Sequence, residues 1–529
     1  MQRAPRVVVA DGLDSEGLRR LEVEADVAVY AGLDEPPLVV ALADADAVIV
    51  RSRSQLTAHV LTSAPRLRVA ARAGVGTDNI DVDAATRRGI LVLNTPESST
   101  TSAAEHTMAM LLALARRIPR AHASVARGEW TREAFVGTEL QAKTLGVVGL
   151  GKIGAEVARR AQAFGMHVRA HDPYVSQDWA DRLGIDLMAF DEVLGSSDIV
   201  TLHVPLTART RHLLGAAQIR RMKPGALLVN CARGGLVDEA ALLDALNDGH
   251  IGGAALDVFE QEPPASPALV QHPRVVVTPH LGASTEEAQR SVAVDVAEQV
   301  LAALRGHPVR GAVNAPALVD EAWQRLEPFL TLARYLGALG QQLADGQVEA
   351  VELLYAGEVA GEEPAPLTAS FLIGLFTGIA DQPVNMINAP ALARGRGLAV
   401  GETRRAASLD FQSLLAATVR TSHGPLHLAG TLFGRREPRI TQIGEYRLDL
   451  IPAEQMLFVW NSDRPGMIGR VGTLLGAHSV NIANMHVGRI TPGGVALMVL
   501  TLDSGIPEAA LRDLARTDGV TGLKTVRLE

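Results

Sequence analysis

A glycine-rich loop between two strand-like segments constrains the fold more than any other feature of this chain. The segment TLGVV, residues 144–148, is short, apolar and β-branched, as a buried strand should be. Gly149, Gly151 and Gly154 follow in G-x-G-x-x-G order, and the next stretch, IGAEVARRAQAF, has helical spacing. The segment MHVRAHD then predicts a second strand, which ends at Asp172, about 20 residues after the loop. This order of strand, loop, helix and strand predicts a dinucleotide-binding unit.

The carboxylate at the end of the second strand bears on which dinucleotide is bound. In such a unit the helix N-terminus holds the pyrophosphate, and Asp172 would accept hydrogen bonds from the ribose hydroxyls and repel a 2′-phosphate. NAD is therefore favoured over NADP, although Arg169 and His171 lie nearby and weaken that preference. Asp172 could alternatively be an ordinary turn residue at a strand end, which Pro173 would also suit.

The alternation of strands and helices continues after Asp172 and predicts a complete doubly wound sheet. The segment DEAALLDALNDG predicts a helix, with Asp238 as its N-cap and Gly249 just past its end. Six strands are expected between residues 145 and 280, enough for an open parallel sheet. The last four of these strands are predicted at 198–205, 225–232, 252–259 and 274–280.

The region before the glycine loop also alternates between strands and helices, but it lacks a glycine fingerprint. Short parallel strands are expected in RVVVAD, DAVIVR, LRVAARAG and ILVLNT. A long helix is predicted over STTSAAEHTMAMLLALARRIPRA, with Ser102 and Glu105 spaced as a capping box, and another over STEEAQRSVAVDVAEQVLAALRG. Two such helices are natural crossings between domains, so we expect the nucleotide domain to be inserted into a second, discontinuous α/β domain.

Composition excludes several classes of protein. The chain has 529 residues, enough for three or four domains, and 47% of them are hydrophobic. A formal net charge of −9 and the lack of a long basic run argue against binding to nucleic acid or a membrane surface. The single cysteine, Cys231, rules out a disulfide framework and suits a reducing cytoplasm. Asp11 and Asp14 interrupt any signal-peptide core, and no window is apolar enough to span a bilayer, so we expect a cytoplasmic protein.

Six motifs carry a resemblance to a known family. They are ARAGVGTDNID (71–81), NTPESSTTSAAEHT (94–107), GTELQAKTLGVVGLGKIG (137–154), NCARGGLVDEAAL (230–242), ALDVFEQEPP (255–264) and PHLGAST (279–285). Together they resemble the D-2-hydroxyacid dehydrogenases, and among these the long-form D-3-phosphoglycerate dehydrogenases. The C-terminal residues resemble the two additional domains of the long form.

The resemblance implies an α/β fold class with four domains. A Rossmann-type nucleotide domain would be inserted into a flavodoxin-like substrate domain, and an α+β intervening domain and a ferredoxin-like βαββαβ ACT domain would follow. The predicted limits are 1–98 and 285–317 for the substrate domain, 99–284 for the NAD-binding domain, 318–452 for the intervening domain and 453–529 for the ACT domain.

Three side chains are candidates for oxidising a 2-hydroxy acid, which needs a base for the hydroxyl proton and a cation for the carboxylate. His280 ends the last strand of the nucleotide sheet, and an imidazole titrates near working pH. Glu262 could bind the far ring nitrogen and favour the imidazolium form. Arg233 follows another strand at the same edge, and its planar fork suits a carboxylate. Taken singly, each could be a loop or surface residue; the resemblance implies that they form the catalytic site.

The resemblance also extends the cofactor site beyond the three loop glycines and Asp172. It implies contacts from residues that follow strand ends: Lys152, Ile153, Pro205, Thr207, Cys231, Ala232, Arg233, Asp257 and His280. Asp257 would lie near the nicotinamide, although a structural turn is an alternative. Cys231 has no base beside it in sequence, so we interpret it as a small buried residue and not a nucleophile. No metal site is expected.

A phosphorylated substrate would need cations from the other domain. Arg51, Arg53 and Arg72 follow strands that should end at the cleft. The resemblance implies that Arg51 and Arg72 face the phosphate, with Arg53 as a reserve. The backbone of Val75 and Gly76 could approach the carboxylate, since glycine permits close contact. Alternatively these arginines lie on a solvated surface.

The C-terminal segment from residue 457 predicts strand, helix, strand, strand, helix and strand, the ferredoxin-like order. Its DRPGMIGRVGTLL motif resembles the ACT domain, a small amino-acid sensor. Free N–H groups after Gly466 could bind an amino acid's carboxylate, Asp463 its ammonium, and Asn481 both, at a site between subunits. The implied ligand is L-serine; a dimerising domain without a ligand is the alternative. Residue 461 is Asn, and its effect on ligand choice is open.

The resemblance thus implies an NAD-dependent enzyme that oxidises 3-phosphoglycerate at the start of serine synthesis, as a homo-oligomer, dimer or tetramer. One alternative is a related reductase of hydroxypyruvate, glyoxylate or another small 2-oxo acid. An alternative of another class is an NAD-sensing interaction protein. Four arginines of the intervening domain could bind an anionic effector but more simply form a solvated face: Arg394, Arg396, Arg404 and Arg405.

Overall fold

The computed structural model describes residues 3–316, 320–380, 382–408, 410–434 and 436–528. Its strands are β1 (Arg6–Val9), β2 (Asp26–Val29), β3 (Ala47–Val50), β4 (Val69–Arg72), β5 (Leu91–Leu93), β6 (Thr144–Val148), β7 (His167–His171), β8 (Asp186–Leu187), β9 (Ile199–Leu202), β10 (Ala226–Asn230), β11 (Ile251–Leu256), β12 (Val275–Val277), β13 (Val348–Gly357), β14 (Ala399–Arg405), β15 (Ser413–Thr421), β16 (Gly424–Phe433), β17 (Glu437–Ile443), β18 (Tyr446–Leu450), β19 (Gln455–Ser462), β20 (Ile482–Arg489), β21 (Val495–Leu502) and β22 (Val520–Arg527).

The helices alternate with these strands. They are α1 (Ser15–Glu22), α2 (Glu35–Leu42), α3 (Ala58–Thr62), α4 (Val82–Arg87), α5 (Thr100–Ala115), α6 (Ile118–Ala126), α7 (Lys152–Ala163), α8 (Gln177–Arg182), α9 (Phe190–Ser196), α10 (Ala216–Arg221), α11 (Glu239–Asn247), α12 (Pro267–Val270), α13 (Glu286–Leu304), α14 (Asp320–Leu343), α15 (Pro364–Phe376), α16 (Ala389–Gly395), α17 (Met467–Ala477) and α18 (Glu508–Ala515). Among the described residues, no helix is both long and apolar enough to cross a membrane.

The N-terminal strands form a five-stranded parallel sheet in the order β2-β1-β3-β4-β5, the flavodoxin-like order. Helix α13, far along the chain, covers one face of this sheet: Val292, Val296 and Val300 share a core with Val7 and Val9. The chain therefore returns to the first domain after the nucleotide domain, as an insertion requires.

The second sheet is parallel and has seven strands in the order β12-β11-β10-β9-β6-β7-β8. The order reverses between β9 and β6, so the carboxyl ends of these two strands flank the crevice where doubly wound sheets bind nucleotides. The Rossmann and flavodoxin-like parts of the predicted fold class are confirmed. The prediction missed β8, a two-residue edge strand, and β2, whose DVAV sequence is only half-buried.

The C-terminal strands form two further sheets. The intervening domain has six strands in the order β14-β13-β15-β16-β17-β18, and the ACT domain has four in the ferredoxin-like order β20-β21-β19-β22. Phe458 and Val499 of the ACT sheet share a core with Leu336 and Leu339 of α14. The two C-terminal domains therefore pack as neighbours around one hydrophobic core. The exact limits predicted for the four domains stay predictions.

A loop of the intervening domain binds the end of a substrate-domain helix. The Asn385 side chain donates to the Gly89 carbonyl oxygen at 2.8 Å, and Gln382 donates to that of Arg87 at 2.9 Å. These carbonyls lie at the C-terminus of α4, where helical oxygens lack partners of their own. Gly89 has φ +71° and fits against Asn385 without a side chain.

The predicted long helix before the nucleotide domain is wrong in two respects. It is two helices, because Arg117 adopts a left-handed conformation with φ 56° between α5 and α6, just before Pro119 restricts the chain. Ser102 and Glu105 do not form a capping box, since α5 begins at Thr100. Ser102 is instead buried and donates to the Gly282 carbonyl oxygen at 2.9 Å.

Candidate functional site

The glycine loop has the geometry that the sequence predicts. Gly149 has φ +95°, and a Cβ there would lie 2.6 Å from the His203 carbonyl oxygen. A Cβ on Gly154 would collide with the Gly149 carbonyl oxygen, so the third glycine lets α7 pack on the loop. Gly151 differs, because a Cβ there would meet none of the described atoms within 4 Å. Its open face at the N-terminus of α7 fits a pyrophosphate.

Asp172 lies against this loop. Its Oδ2 accepts the Leu150 N–H at 2.8 Å, and its Oδ1 accepts the Tyr174 N–H at 2.9 Å. The carboxylate thus shapes the loop and the turn after β7, and its remaining lone pairs are those available to ribose hydroxyls. The structural and functional interpretations of Asp172 are therefore compatible.

Lys152 is the first residue of α7 and forms an ion pair with Glu97, in the segment that leads from the substrate domain into α5. The hydrogen bond and the charge of Lys152 lower the pKa of Glu97. Ile153, the next residue, packs against the core of the nucleotide domain. Lys152 is thus placed beside the open face of the loop.

The other predicted cofactor residues follow β9 and β10. Pro205 and Thr207 lie in a turn closed by Thr210, whose hydroxyl donates to the Pro205 carbonyl oxygen at 2.7 Å. Cys231 and Ala232 follow β10, and burial raises the pKa of the Cys231 thiol to about 12. The thiol therefore stays protonated at neutral pH, in agreement with its interpretation as a non-nucleophile.

His280 and Glu262 meet as predicted. His280 Nδ1 lies 2.9 Å from Glu262 Oε2, at the edge of the sheet after β12. Burial opposes ionisation of Glu262, but the hydrogen bond and charge of His280 and the Phe259 N–H outweigh it and lower the pKa of the carboxyl. Glu262 is therefore ionised at neutral pH, and it leaves Nε2 as the ring nitrogen available for a substrate.

Asp257 is completely buried and fixes the loop that carries His280. Its carboxylate accepts the Thr278 hydroxyl at 2.6 Å and the Leu281 and Gly282 N–H groups at 2.7 and 2.9 Å. Burial opposes ionisation, but His106, at 3.1 Å, and the bonds from Thr278 and Leu281 outweigh it and lower the pKa of Asp257. The His280 N–H donates to the Asp257 carbonyl oxygen at 2.9 Å, which helps hold His280 at φ 56°.

Arg233 reaches across the cleft to the substrate domain. Its Nε lies 3.0 Å from Asp78 Oδ2. Its Nη1 donates to the carbonyl oxygen of the preceding residue, Ala232, at 2.6 Å. Only 24% of the Arg233 side chain is exposed, against 58% for Asp78. The guanidinium is thus fixed between the two domains.

Arg233 belongs to a cluster of three arginines with Arg51 and Arg72. Burial and, after it, the neighbouring charges of Arg233 and Arg51 together lower the pKa of Arg72 to about 10, while Asp11 and Asp78 oppose them. Arg72 Nε is buried without a hydrogen-bond partner within the described part of the chain. Uncompensated donors and excess positive charge in a cleft are what an anionic ligand would satisfy.

The remaining substrate candidates differ in their placement. The Arg53 side chain lies over Gly32 and donates to the Ala31 carbonyl oxygen at 3.3 Å, so it is bound to the loop after β2. The Val75 carbonyl oxygen accepts the Asn94 side chain at 2.6 Å. Gly76 has its open face covered by the Arg233 guanidinium.

Sequence reasoning missed Asp78, Asp11, His106 and Ser102. Asp78 lies inside one of the quoted motifs, and His106 and Ser102 lie inside another. Their partners are more than 150 residues away, so no local spacing could assign them a role. Asp11 accepts the Arg51 N–H at 2.7 Å, 40 residues apart, and orders the loop after β3.

The predicted effector residues lie at two ends of the ACT sheet. Asp463 follows β19 and accepts the Gly493 N–H at 3.1 Å; Gly466, with φ 89°, precedes α17. Asn481 precedes β20 and donates to Asp503 Oδ2 at 2.6 Å. Ser462 pairs with one end of β21 and Ile482 with the other, about 24 Å apart along the strand. One chain therefore does not bring Asp463 and Asn481 together.

The basic side chains of the intervening domain are partly engaged. Arg396 lies over the Phe376 ring at 5.3 Å, and Arg404 pairs with Glu363 at 3.5 Å. Throughout the described ranges, no group of three or more His, Cys, Asp or Glu side chains is arranged to hold a metal ion.

Comparison with known proteins agrees with this geometry. Residues 108–282 match the family model for the NAD-binding domain of D-isomer specific 2-hydroxyacid dehydrogenases. Residues 325–444 match the D-3-phosphoglycerate dehydrogenase intervening domain, and residues 455–519 match the ACT domain. The predicted order of a nucleotide domain, an intervening domain and an ACT domain is confirmed.

Similar proteins extend over nearly the whole chain. The D-3-phosphoglycerate dehydrogenase of Synechocystis is 43% identical over 99% of this chain and 95% of its own length. That of Methanocaldococcus jannaschii is 42% identical over 99% and 100%. Among solved structures, the D-lactate dehydrogenase of Aquifex aeolicus complexed with NAD and lactic acid is 31% identical, with a TM-score of 0.52, over 57% of this chain and 96% of that chain. This chain therefore belongs to the D-3-phosphoglycerate dehydrogenase family of NAD-dependent D-2-hydroxyacid dehydrogenases.

Proposed function

We propose that the chain catalyses the NAD-dependent oxidation of 3-phospho-D-glycerate to 3-phosphohydroxypyruvate, the first step of L-serine biosynthesis. One observation carries the proposal: the His280–Glu262 pair and Arg233 lie at the rim of the nucleotide sheet, and Arg233 extends to a cationic cluster of the other domain. The names of the full-length relatives support the same substrate.

In this proposal the protein's groups handle the proton and the charges. NAD supplies the ring that accepts the hydride from the substrate's C2. His280 Nε2 accepts the proton of the 2-hydroxyl group, so that the C–O bond becomes a carbonyl. Glu262 is ionised at neutral pH and stabilises the imidazolium that forms while holding the ring by Nδ1. Arg233 binds the substrate's carboxylate or its 2-oxygen.

Arg51 and Arg72 would bind the phosphate group from the substrate domain. Their mutual repulsion with Arg233, which contributes to the low pKa of Arg72, would be relieved by a polyanion. The backbone at Val75 and Gly76 stays a predicted contact for the carboxylate. A steady-state assay with 3-phosphoglycerate and NAD tests the whole proposal, and absence of NADH formation at high enzyme concentration would exclude it.

The rival functions make different predictions in that assay. A reductase for small 2-oxo acids would reduce glyoxylate or hydroxypyruvate with a kcat/KM at least as high as that for 3-phosphohydroxypyruvate. An NAD-sensing interaction protein would bind NAD without turnover; the intact Arg233, Glu262 and His280 set favours an enzyme.

The choice of NAD over NADP can be tested at Asp172. Replacing Asp172 with Ala removes the acceptor for ribose hydroxyls, so affinity for NAD should fall by about tenfold. Affinity for NADP should fall less, since the repulsion of its 2′-phosphate is also removed. The dissociation constants of the reduced cofactors NADH and NADPH, measured by fluorescence titration of the parent and the variant, test this. An equal loss of affinity for both cofactors would contradict the assignment.

The ACT domain is proposed to bind L-serine between two chains and so regulate the enzyme. Asp463 and the N-terminus of α17 would bind from one chain and Asn481 from another, since a single chain keeps them apart. A dimerising domain without a ligand remains the alternative, and serine titration of the full-length protein by calorimetry separates the two.

We further propose that the chain forms a homo-oligomer, dimer or tetramer, in the cytoplasm. Large apolar side chains are exposed on α6 and the segment after it, including Trp130 at 75% and Val136 at 69%. Where exposed apolar side chains adjoin one another, they are candidate contact surfaces between proteins. Light scattering of the parent and of Trp130→Glu tests the assembly; an unchanged mass would exclude this surface from the contact.

A further inference from the structure

Asp78 bonds directly to the guanidinium of a proposed substrate-binding residue but has no role in the reaction described above. It belongs to the substrate domain, whereas its partner, Arg233, belongs to the nucleotide domain 155 residues away. The bond joins Arg233 Nε to Asp78 Oδ2 at 3.0 Å. An inference about Asp78 rests on the proposed function, because it concerns the same substrate site.

The backbone around Asp78 is tightly held. The next residue, Asn79, donates from its side chain to the carbonyl oxygens of Arg51 at 2.8 Å and Ser54 at 2.6 Å. Three residues on, Asp81 caps α4 by accepting the Ala84 N–H at 2.8 Å. Anchored on that side, the segment presents the Asp78 carboxylate to Arg233 in a defined place, unlike a pair of flexible surface side chains.

Gly76 makes room for this bond. A Cβ on Gly76 would collide with Arg233 Nη2 and lie 2.6 Å from Asp78 Oδ2. The glycine therefore leaves space for both partners, and any larger residue would separate them. Its φ is not in the left-handed region, so space and not backbone conformation is what requires glycine here.

A carboxylate is an unexpected neighbour in a site that is to bind a phosphorylated acid. Its charge repels the substrate, so its presence needs a compensating benefit. The benefit lies in the geometry of Arg233. Asp78 occupies Nε and the Ala232 carbonyl occupies one proton of Nη1, which leaves Nη2 as the guanidinium nitrogen without a partner in the described contacts.

We propose that Asp78 is a positioning residue that holds Arg233 by its Nε–H from the opposite domain and so directs Nη2 toward the substrate. Because the two partners lie on different domains, the guanidinium is oriented only when the domains are in this relative position. Recognition of the carboxylate is thereby coupled to the arrangement of the cleft.

The first test compares Asp78→Ala with Asp78→Asn. The alanine variant loses the acceptor for Nε–H, and kcat/KM for 3-phosphoglycerate should fall roughly tenfold, since a misplaced catalytic contact is costly. The asparagine variant keeps a carbonyl acceptor without the charge and should stay within about threefold of the parent. KM for NAD should be unchanged in both, and Asp83→Asn, an exposed carboxylate on α4, is the control for loss of charge alone.

The second test is a double-mutant cycle with Arg233→Lys, which keeps the charge but has no Nε–H. Binding of 3-phosphoglycerate to the NADH complex is measured by calorimetry, so that the lysine variants need not turn over. Asp78→Ala should weaken binding about fivefold with Arg233 present and less than twofold with lysine there. Thermal melting checks that all variants are folded.

Two results would overturn the inference. If Asp78→Ala and Asp78→Asn both raise kcat/KM, Asp78 only competes with the substrate for Arg233. If Asp78→Ala weakens binding of 3-phosphoglycerate equally in the Arg233 and Arg233→Lys backgrounds, Asp78 does not act through Arg233. It then acts through the fold or through its charge alone. Failure of the proposed function is a separate observation, because the parent protein itself would then not oxidise 3-phosphoglycerate.

Discussion

The candidate catalytic cleft and the ACT domain differ in how separation along the sequence relates to separation in space. In the cleft, side chains far apart in sequence meet at hydrogen-bond distance, as Arg233 and Asp78 do across 155 residues. In the ACT domain, Asp463 and Asn481 are only 18 residues apart in sequence, yet they lie at opposite ends of β21. The difference indicates that the candidate catalytic groups are assembled by one chain, whereas the proposed effector site needs two.

The largest expected effect tests the cleft. Replacing His280 with Asn keeps the size and polarity of the side chain but removes the base, so kcat should fall by about a hundredfold or more. Steady-state kinetics with 3-phosphoglycerate and NAD measure it.

The matched control is His59→Asn, an exposed histidine on α3, which should not change kcat. A His280→Asn variant with the turnover of the parent would remove the central group from the proposed site.

The next effect concerns recognition of the phosphate. Arg51 belongs to the cationic cluster around Arg72, whereas Arg53 lies over Gly32. Arg51→Ala should lower kcat/KM for 3-phosphoglycerate by roughly tenfold to a hundredfold relative to unphosphorylated D-glycerate, as loss of a charge-assisted contact does.

Arg53→Ala is the matched control and should change that ratio less than about twofold. Equal losses for the two variants would show that the cluster acts only as a general positive field.

The ACT side of the comparison predicts a smaller effect. Asp463→Ala removes one charged contact to the ammonium group of serine, so the affinity measured by calorimetry should fall by roughly threefold to tenfold. Asn481→Ala should have a similar effect although it lies at the other end of the sheet.

If the site forms between chains, mixing the two variants should restore part of the binding. In a mixed pair, one of the two sites keeps both Asp463 and Asn481, and the other site lacks both. No heat of serine binding with the parent protein would end the proposal of an effector site.

The smallest effect concerns stability. Burial lowers the pKa of His203, under the glycine loop, to about 4, so the folded protein binds this proton less readily than the unfolded chain. The contribution of neutral His203 to the free energy of unfolding is fully present above about pH 6.5. It falls by roughly 2–3 kcal/mol as the pH is lowered toward 4.

Hydrogen exchange of β9 peptides at pH 7 and pH 5 measures the loss in the nucleotide domain, when it is expressed as protection factors relative to the intrinsic exchange rate at each pH. His203→Gln, which cannot titrate but can still bond to Thr201, should flatten that part of the pH dependence. Equal protection factors for the parent protein at both pH values would contradict the prediction.

Local patterns were sufficient for much of this architecture. The glycine loop and the Asp238 cap depend on neighbours in sequence, and the structure has both of them. Apart from β2 and β8, the strands of the two parallel sheets were also predicted. The break at Arg117 was missed because α5 and α6 are both good helical sequences, and only the residues around Pro119 signalled it. Asp78 and Ser102 could not be assigned, since their partners lie 155 and 180 residues away in the sequence.

The hydrogen bonds from Gln382 and Asn385 to the end of α4 have a mechanical consequence. They join the intervening domain to the substrate domain at a second point besides the connecting chain. Since the intervening and ACT domains share one hydrophobic core, the position of the ACT domain is tied to that of the substrate domain.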